Sequence, residues 1–215
     1  MKAIELPQVA AFMSRHTRLY DRRPPVYQTT MLNTIASLWS GPHNKLLDLG
    51  GGTGVIAQAI QEMLPVGKVF SVDVVDRYFR TITVETLVYD GTCLPFDNGS
   101  FDAATITNVM HHIPLDSRLS ILKEIRRTVN GPVYIKDHLT TSWLDGKRLL
   151  ILDAIGNLPF HGQISAWYLT AEQWQSLAQQ AGYRIAVSRT GEYRSGLMAM
   201  LFPNRLETTM RFEPV

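Results

Sequence analysis

The run Lys45-Leu46-Leu47-Asp48-Leu49-Gly50-Gly51-Gly52-Thr53-Gly54-Val55-Ile56-Ala57 constrains this chain more than any other stretch of it. An apolar strand empties into glycines, and helical spacing restarts at once through Val55, Ile56, Ala59 and Ile60. Glycine tolerates positive φ and carries no side chain, so such a loop turns sharply into a helix N-terminus and lets a ligand approach its backbone. The run therefore predicts a strand-to-helix turn of the nucleotide-binding type. The dinucleotide fingerprint spaces its glycines G-x-G-x-x-G, but counting two and then three from Gly50 ends on Val55. The spacing here is G-x-G-x-G, with an acid, Asp48, two residues ahead.

Beyond this turn, short β runs alternate with helical ones. Leu46 to Leu49, Lys68 to Asp73, Thr86 to Asp90, Phe101 to Asn108 and Pro132 to Asp137 read as strands. Pro114 to Val129 carries Leu115, Leu119, Leu122 and Ile125 at helical spacing and stops at Asn130-Gly131-Pro132. Ser142 to Ile155 reads as another helix, although Leu149-Leu150-Ile151-Leu152 alone also fits a strand. Thr170-Ala171-Glu172-Gln173 is a capping box opening a helix that ends at Gly182. Tyr183 to Ser188 and Gly196 to Phe202 then read as strands joined by a hairpin through Thr190-Gly191-Glu192. Before residue 40, two helical patterns are broken at Arg22-Arg23-Pro24-Pro25. The expectation is an α/β fold: a doubly wound, seven-stranded, mostly parallel sheet with helices on both faces and one late antiparallel strand.

Ligands of such sheets collect beyond the carboxyl ends of the strands. Here the strands end in the glycine loop, Asp73, Asp90, Asn108 and Asp137-His138. A carboxylate at Asp73 can accept bonds from both hydroxyls of a ribose, with Asp76 a rival for the same role.

With Asp48 ahead of it, the glycine run resembles the first motif, D/E-x-G-x-G-x-G, of the class I S-adenosylmethionine (SAM)-dependent methyltransferases, the Rossmann-like methyltransferase fold. Asp90-Gly91-Thr92-Cys93-Leu94-Pro95-Phe96-Asp97-Asn98-Gly99-Ser100-Phe101-Asp102 is similar to that family's second signature, D-A-x-x-L-P-F-x-D-x-S-F-D. Asn108-Val109-Met110-His111-His112-Ile113 resembles its stretch after the fourth strand. In pattern the chain is nearest the small-molecule members of the type 11, ubiquinone-biosynthesis-like group. The resemblance implies SAM as cofactor and S-adenosylhomocysteine as product. It implies cofactor contacts from Asp48, Gly50, Gly51, Gly52, Gly54, Asp73, Asp90, Gly91, Thr92, Asn108 and Val109, with Asp90 meeting the adenine amino group.

Histidine can take a proton from a hydroxyl or amine nucleophile, so His111 and His112 are candidate bases, against the reading that one of them only packs. Asp137 and His138 are candidates for base or substrate orienter. Metal-dependent O-methyltransferases use a set of carboxylates, of which only Asp137 with His138 is evident, and no metal is expected. Trp143, His161, Trp167 and Tyr168 flank the segment where the family builds its acceptor pocket, and Arg15, Tyr20 and Asp21 are placed to close over the cofactor. The chain departs from the family between Asp73 and Thr86, where a full helix is usual and only a turn or two is expected. That leaves the adenine pocket open or covered by Tyr78 or Phe79.

Composition narrows the function further. A length of 215 residues suits a single methyltransferase domain, 1–215, divided into an N-terminal helical lid (1–40), a SAM-binding core (44–138) and acceptor-side helices with terminal strands (139–215). No apolar run approaches the roughly 18 residues of a membrane helix, and no signal-like core opens the chain, so a cytoplasmic protein is expected. Cys93 is the lone cysteine, which excludes an internal disulfide and a cysteine-based zinc site. Lys and Arg total 21 against 19 Asp and Glu, with no dense basic block, which argues against nucleic acid. The expected activity is methyl transfer from SAM to O, N or C of a small-molecule acceptor. The alternatives are a SAM-binding scaffold or partner subunit without turnover, and an RNA or protein methyltransferase. The leading helices serve equally as a lid or as a homodimer contact.

Overall fold

Successive side chains of a strand point to opposite faces, and along His43–Leu49 (β1) each face has its own cover. Leu46 packs under Leu6–Ser14 (α1), Val26–Leu38 (α2) and Val55–Met63 (α3), which contribute Val9, Phe12, Leu32, Ile35 and Ile60. Leu47 and Leu49 face the opposite layer, where Arg118–Thr128 (α4) buries Ile121, Leu122 and Ile125 and a later helix buries Trp174. The computed structural model describes residues 2–157 and 166–215.

The remaining elements are the strands Val66–Asp73 (β2), Glu85–Val88 (β3), Ala103–Thr107 (β4), Val133–His138 (β5), Tyr183–Arg189 (β6) and Glu207–Pro214 (β7), and the helices Trp143–Asn157 (α5), Ala171–Gln180 (α6) and Gly196–Leu201 (α7). The sheet runs β3-β2-β1-β4-β5-β7-β6. β1 pairs in parallel with β2 and β4, and β7 lies antiparallel to both its neighbours. The order reverses beside β1, which creates a crevice at the carboxyl ends of β1 and β4.

Local chemistry accounts for the helix ends. Thr170 Oγ1 accepts from the Gln173 amide at 3.3 Å, and Gln173 Oε1 accepts from the Thr170 amide at 2.9 Å, closing the expected capping box of α6. Gly182, at φ +80°, turns the chain out of that helix. Asp48 on β1 accepts from Ser71 Oγ of β2 (2.8 Å) and Thr105 Oγ1 of β4 (2.9 Å), directly across the ladder on both sides.

Two expectations are corrected. Gly196 to Phe202 is not a strand, and no hairpin forms through Thr190-Gly191-Glu192: residues 190–195 cross to α2, where Gly191 fits against Thr30 and Thr34, and α7 follows. The partner of β6 is β7, which lies beyond this excursion. The strand expected to run to Asp90 stops at Val88, leaving Asp90 in the following loop. Residues 74–84 form no helix, as expected, and the four residues of β3 are exposed.

Candidate active site

The glycines of the loop after β1 meet different demands. Gly50 sits at φ +76° with its amide donating to Val72 O at 2.7 Å, and a Cβ there would lie 2.3 Å from Val109 Cγ2. A Cβ on Gly51 would strike Ser71 Oγ, and one on Gly54 the Ile82 side chain at 2.2 Å. At Gly52 (φ +57°) nothing lies within 4 Å, so its missing side chain leaves open space. Its amide donates to Asp73 Oδ2 at 2.7 Å, and Asp73 Oδ1 accepts from the Val75 amide at 3.1 Å.

A cavity of about 1040 Å³ begins at this loop and Asp73 and runs past Asn108 and Val109 to His112 and His138. Pockets for drug-sized ligands occupy roughly 300–1,000 Å³, so this one has room for a nucleotide-sized cofactor and a second molecule. Met13, Tyr20, Tyr27 and Met31 from the N-terminal segment wall it, while Arg15, paired with Glu62 at 2.6 Å, and Asp21 stand outside. Phe79 lines it; Tyr78 packs against the glycine loop instead, near the Cβ positions of Gly51 and Gly54.

Of the residues expected at the site, Gly50, Gly51, Gly52, Asp73, Gly91, Asn108, Val109, His112 and His138 line the cavity. Asp48 lies beneath it, where burial outweighs the two hydroxyls and raises its carboxyl to about 6. Gly54 faces Ile82 and starts α3. Asp90 is exposed and its Oδ1 accepts from the Thr92 and Cys93 amides at 2.8 and 3.0 Å, which lowers its pKa. Neither Asp90 nor Thr92 lines the cavity, and Asp76 is exposed away from it. His111 and Asp137 lie behind the wall. His161 falls outside the described residues; Trp143 and Trp167 are exposed, and Tyr168 stacks on His111 with ring centroids 5.6 Å apart.

His111 lies between two carboxylates, with Nδ1 2.7 Å from Asp137 Oδ1 and Nε2 3.3 Å from Asp153 Oδ1. Burial alone would lower its pKa, but the two carboxylates outweigh it and raise it; Asp137, though buried, is held well below the usual carboxylate range by His111. Burial, together with Lys136 and His111, pushes His138 down to about 3, so its ring is neutral. Arg118, itself buried, fastens the turn that carries His111 and His112: it donates to Ile113 O at 2.8 Å and Trp167 O at 2.6 Å.

A second polar cluster lies across the cavity. Asn108, in the left-handed region at φ +56°, presents Oδ1 to Lys136 Nζ at 2.6 Å, and the same ammonium donates to Tyr27 O–H at 2.6 Å. Lys136 also pairs with Glu207, which Arg194 and Tyr193 bond from the other side. Sequence reasoning missed Tyr27, Lys136, Asp153, Tyr193, Arg194 and Glu207. Lys136, one residue before the strand end at Asp137, carries a signal in being a lysine directly after the apolar run Val133-Tyr134-Ile135; the others come from elements whose placement no local pattern reveals.

A family model described as a methyltransferase domain matches residues 20–187, and the chain belongs to that family. The ubiquinone/menaquinone biosynthesis C-methyltransferase UbiE of Ralstonia pickettii (strain 12J) is 30% identical over 106 residues, covering 45% of this chain and 43% of UbiE. The match thus spans less than half of either protein. Among solved structures, a chain of the complex containing the Haloferax volcanii Trm112 methyltransferase activator superposes with TM-score 0.68 at 16% identity, covering 100% of this chain and 99% of that one. Magnesium protoporphyrin IX methyltransferase from Synechocystis PCC 6803, with bound S-adenosylhomocysteine, gives TM-score 0.62 at 14% identity, covering 93% and 88%. These likenesses establish a Rossmann-like methyltransferase fold. SAM is the cofactor of the family, and the residues present fit it: an open cradle at Gly52 beside the buried Asp73 carboxylate, both on the cavity. Among the described residues no helix is long and apolar enough to cross a membrane.

Proposed function

We propose that this protein transfers a methyl group from SAM to a small-molecule acceptor held in the same cavity. The observation that carries the reading is the continuity of one walled cavity from the glycine loop and Asp73 to His112 and His138. Asp73 would hold the ribose hydroxyls, the Gly51-Gly52 backbone would approach the cofactor closely, and Val74, Tyr89 and Gly91 would flank the base.

SAM supplies a methyl group on a positively charged sulfur, which needs no further electrophilic activation. The protein's own work is therefore alignment and exclusion of water, and alignment alone contributes about 7–11 kcal/mol in effective-molarity terms. Met13, Tyr20, Tyr27 and Met31, which wall the cavity, would shield the reacting atoms from water. His112 faces the cavity and would take the acceptor's proton, with His111 and Asp137, bonded to each other behind it, as positioning residues.

The test is calorimetric titration with SAM and S-adenosylhomocysteine, followed by transfer of labelled methyl to a panel of hydroxylated and amine-bearing small molecules. Micromolar binding with turnover on a member of the panel supports the reading. Turnover on RNA or protein alone overturns the acceptor class, and cofactor binding with tight capture of another protein but no turnover marks a scaffold.

A further inference from the structure

His111, His138 and Asp153 come from three separate elements: the turn after β4, the end of β5, and α5. Each offers one ligand atom, and these atoms all lie within 4.8 Å of one another. All three residues are buried, and His138 and Asp153 line the cavity. His138 Nδ1 is buried without a hydrogen-bond partner, a condition that in a native protein calls for an explanation.

The geometry points to a divalent metal site of the zinc class, with His111 Nε2, His138 Nδ1 and Asp153 as ligands and an open coordination position facing the cavity. Donors about 2.0–2.2 Å from a common zinc ion, spread at tetrahedral to octahedral angles, stand about 3.0–3.5 Å apart. His111 Nε2 and Asp153 Oδ1 are 3.3 Å apart. A carboxylate only accepts, so in the ion-free protein His111 donates from Nδ1 to Asp137 Oδ1 at 2.7 Å and from Nε2 to Asp153 Oδ1 at 3.3 Å; an ion would displace the Nε2 proton and leave the Asp137 bond in place. That arrangement of carboxylate behind imidazole is the usual support of a metal-ligating histidine. The Asp137 oxygen also accepts from the His138 amide at 2.7 Å, so one carboxylate fixes both histidine-bearing segments.

Two imidazole nitrogens and one carboxylate suit zinc and its first-row neighbours and disfavour magnesium and calcium, which take oxygen ligands. Three protein ligands leave a fourth position for an exchangeable group. The class of that group rests on the methyl-transfer reading: it is an acceptor with a hydroxyl, whose oxygen would bind the ion while its proton passes to His112 on the same cavity.

The 215-residue chain, stripped with chelator, is titrated with Co²⁺ as an optical stand-in for Zn²⁺ while visible absorption is followed. The expected result is one equivalent bound with the intense bands of a low-coordinate cobalt centre, bleached by Zn²⁺. His138→Gln and Asp153→Asn should each weaken binding more than tenfold, and Asp137→Asn about tenfold through the support of His111. His43→Gln, a buried histidine bonded to Tyr134 at 2.9 Å, should leave binding unchanged. Absence of the bands in the wild type, or equal affinity in the folded His138→Gln and Asp153→Asn proteins, overturns the site; should either variant fail to fold, the other decides. SAM affinity is measured on the same samples. SAM binding and methyl transfer without cobalt binding sinks the metal site alone, and cobalt binding without SAM binding sinks the methyl-transfer reading alone.

Discussion

The carboxylate of Asp73 is tied to the glycine loop it serves: Oδ2 accepts the Gly52 amide at 2.7 Å. A single side chain thus shapes the cradle and faces the cavity. Asp73→Ala removes a charge-assisted acceptor worth about 1.5–3 kcal/mol per bond, so SAM affinity should fall at least tenfold. Calorimetry on a variant with a native circular dichroism spectrum checks this, and unchanged affinity would take the ribose role away from Asp73.

Gly50 and Gly52 should respond differently to alanine. Both have positive φ, which costs a non-glycine residue about 1–2 kcal/mol. At Gly50 the new methyl also collides with Val109, raising the loss of stability to about 2–5 kcal/mol. At Gly52 it enters open space, so the loss in urea unfolding should stop at the backbone cost of about 1–2 kcal/mol while SAM binding drops sharply. Equal behaviour in both measurements would contradict a cradle at Gly52.

Asp48 predicts a pH dependence of stability. Its carboxyl is raised from the ordinary 3.8 to about 6 by burial. An acid whose folded pKa lies above its unfolded value favours folding when protonated, so the advantage is complete below 3.8 and is lost as pH rises through about 6. Relative to Asp48→Asn, the wild type should lose about 3 kcal/mol across that window. Chemical denaturation of both proteins over the range would reveal it, and a constant difference would argue against a buried, raised carboxyl.

Lys136, Arg194 and Glu207 form a buried group in which one anion serves two cations. Removing one partner of a buried pair costs about 3–5 kcal/mol because a charge is left uncompensated. Glu207→Gln should therefore destabilise by about that amount, stranding both cations. Lys136→Met should cost less, because Arg194 still neutralises Glu207. Urea unfolding of the two variants ranks them, and the reverse order would refute the shared-anion arrangement.

The parts of the fold carried by local chemistry were legible in the sequence. The strand-glycine-helix turn, the capping box at Thr170 and the missing helix after Asp73 all stand as read, because each depends on a few neighbouring residues. The end of the chain was misread for a physical reason. Gly196-Leu197-Met198-Ala199-Met200-Leu201 is apolar enough to pass for a strand, yet Leu, Met and Ala favour helix, and the segment forms one with Leu197 and Met200 exposed. The true strand, Glu207-Thr208-Thr209-Met210-Arg211-Phe212-Glu213-Pro214, is polar enough to look like a tail. The site divides along the same line. Asp73, Asn108 and His138 were found because strand ends locate them, whereas Asp153 and Glu207 arrive from α5 and β7 and meet the others only in three dimensions.

The position of β7 has a consequence for biosynthesis. It is the last strand in chain order but an inner strand of the sheet, inserted between β5 and β6. While the chain is still emerging from the ribosome, β6 has no sheet neighbour to pair with, and Lys136 has no counterion from Glu207, until residues 207–214 have followed. The earlier strands can assemble as they are made, but the part of the pocket's polar wall that Glu207 supplies waits for β7. Changes within residues 207–214 therefore act on the interior of the protein.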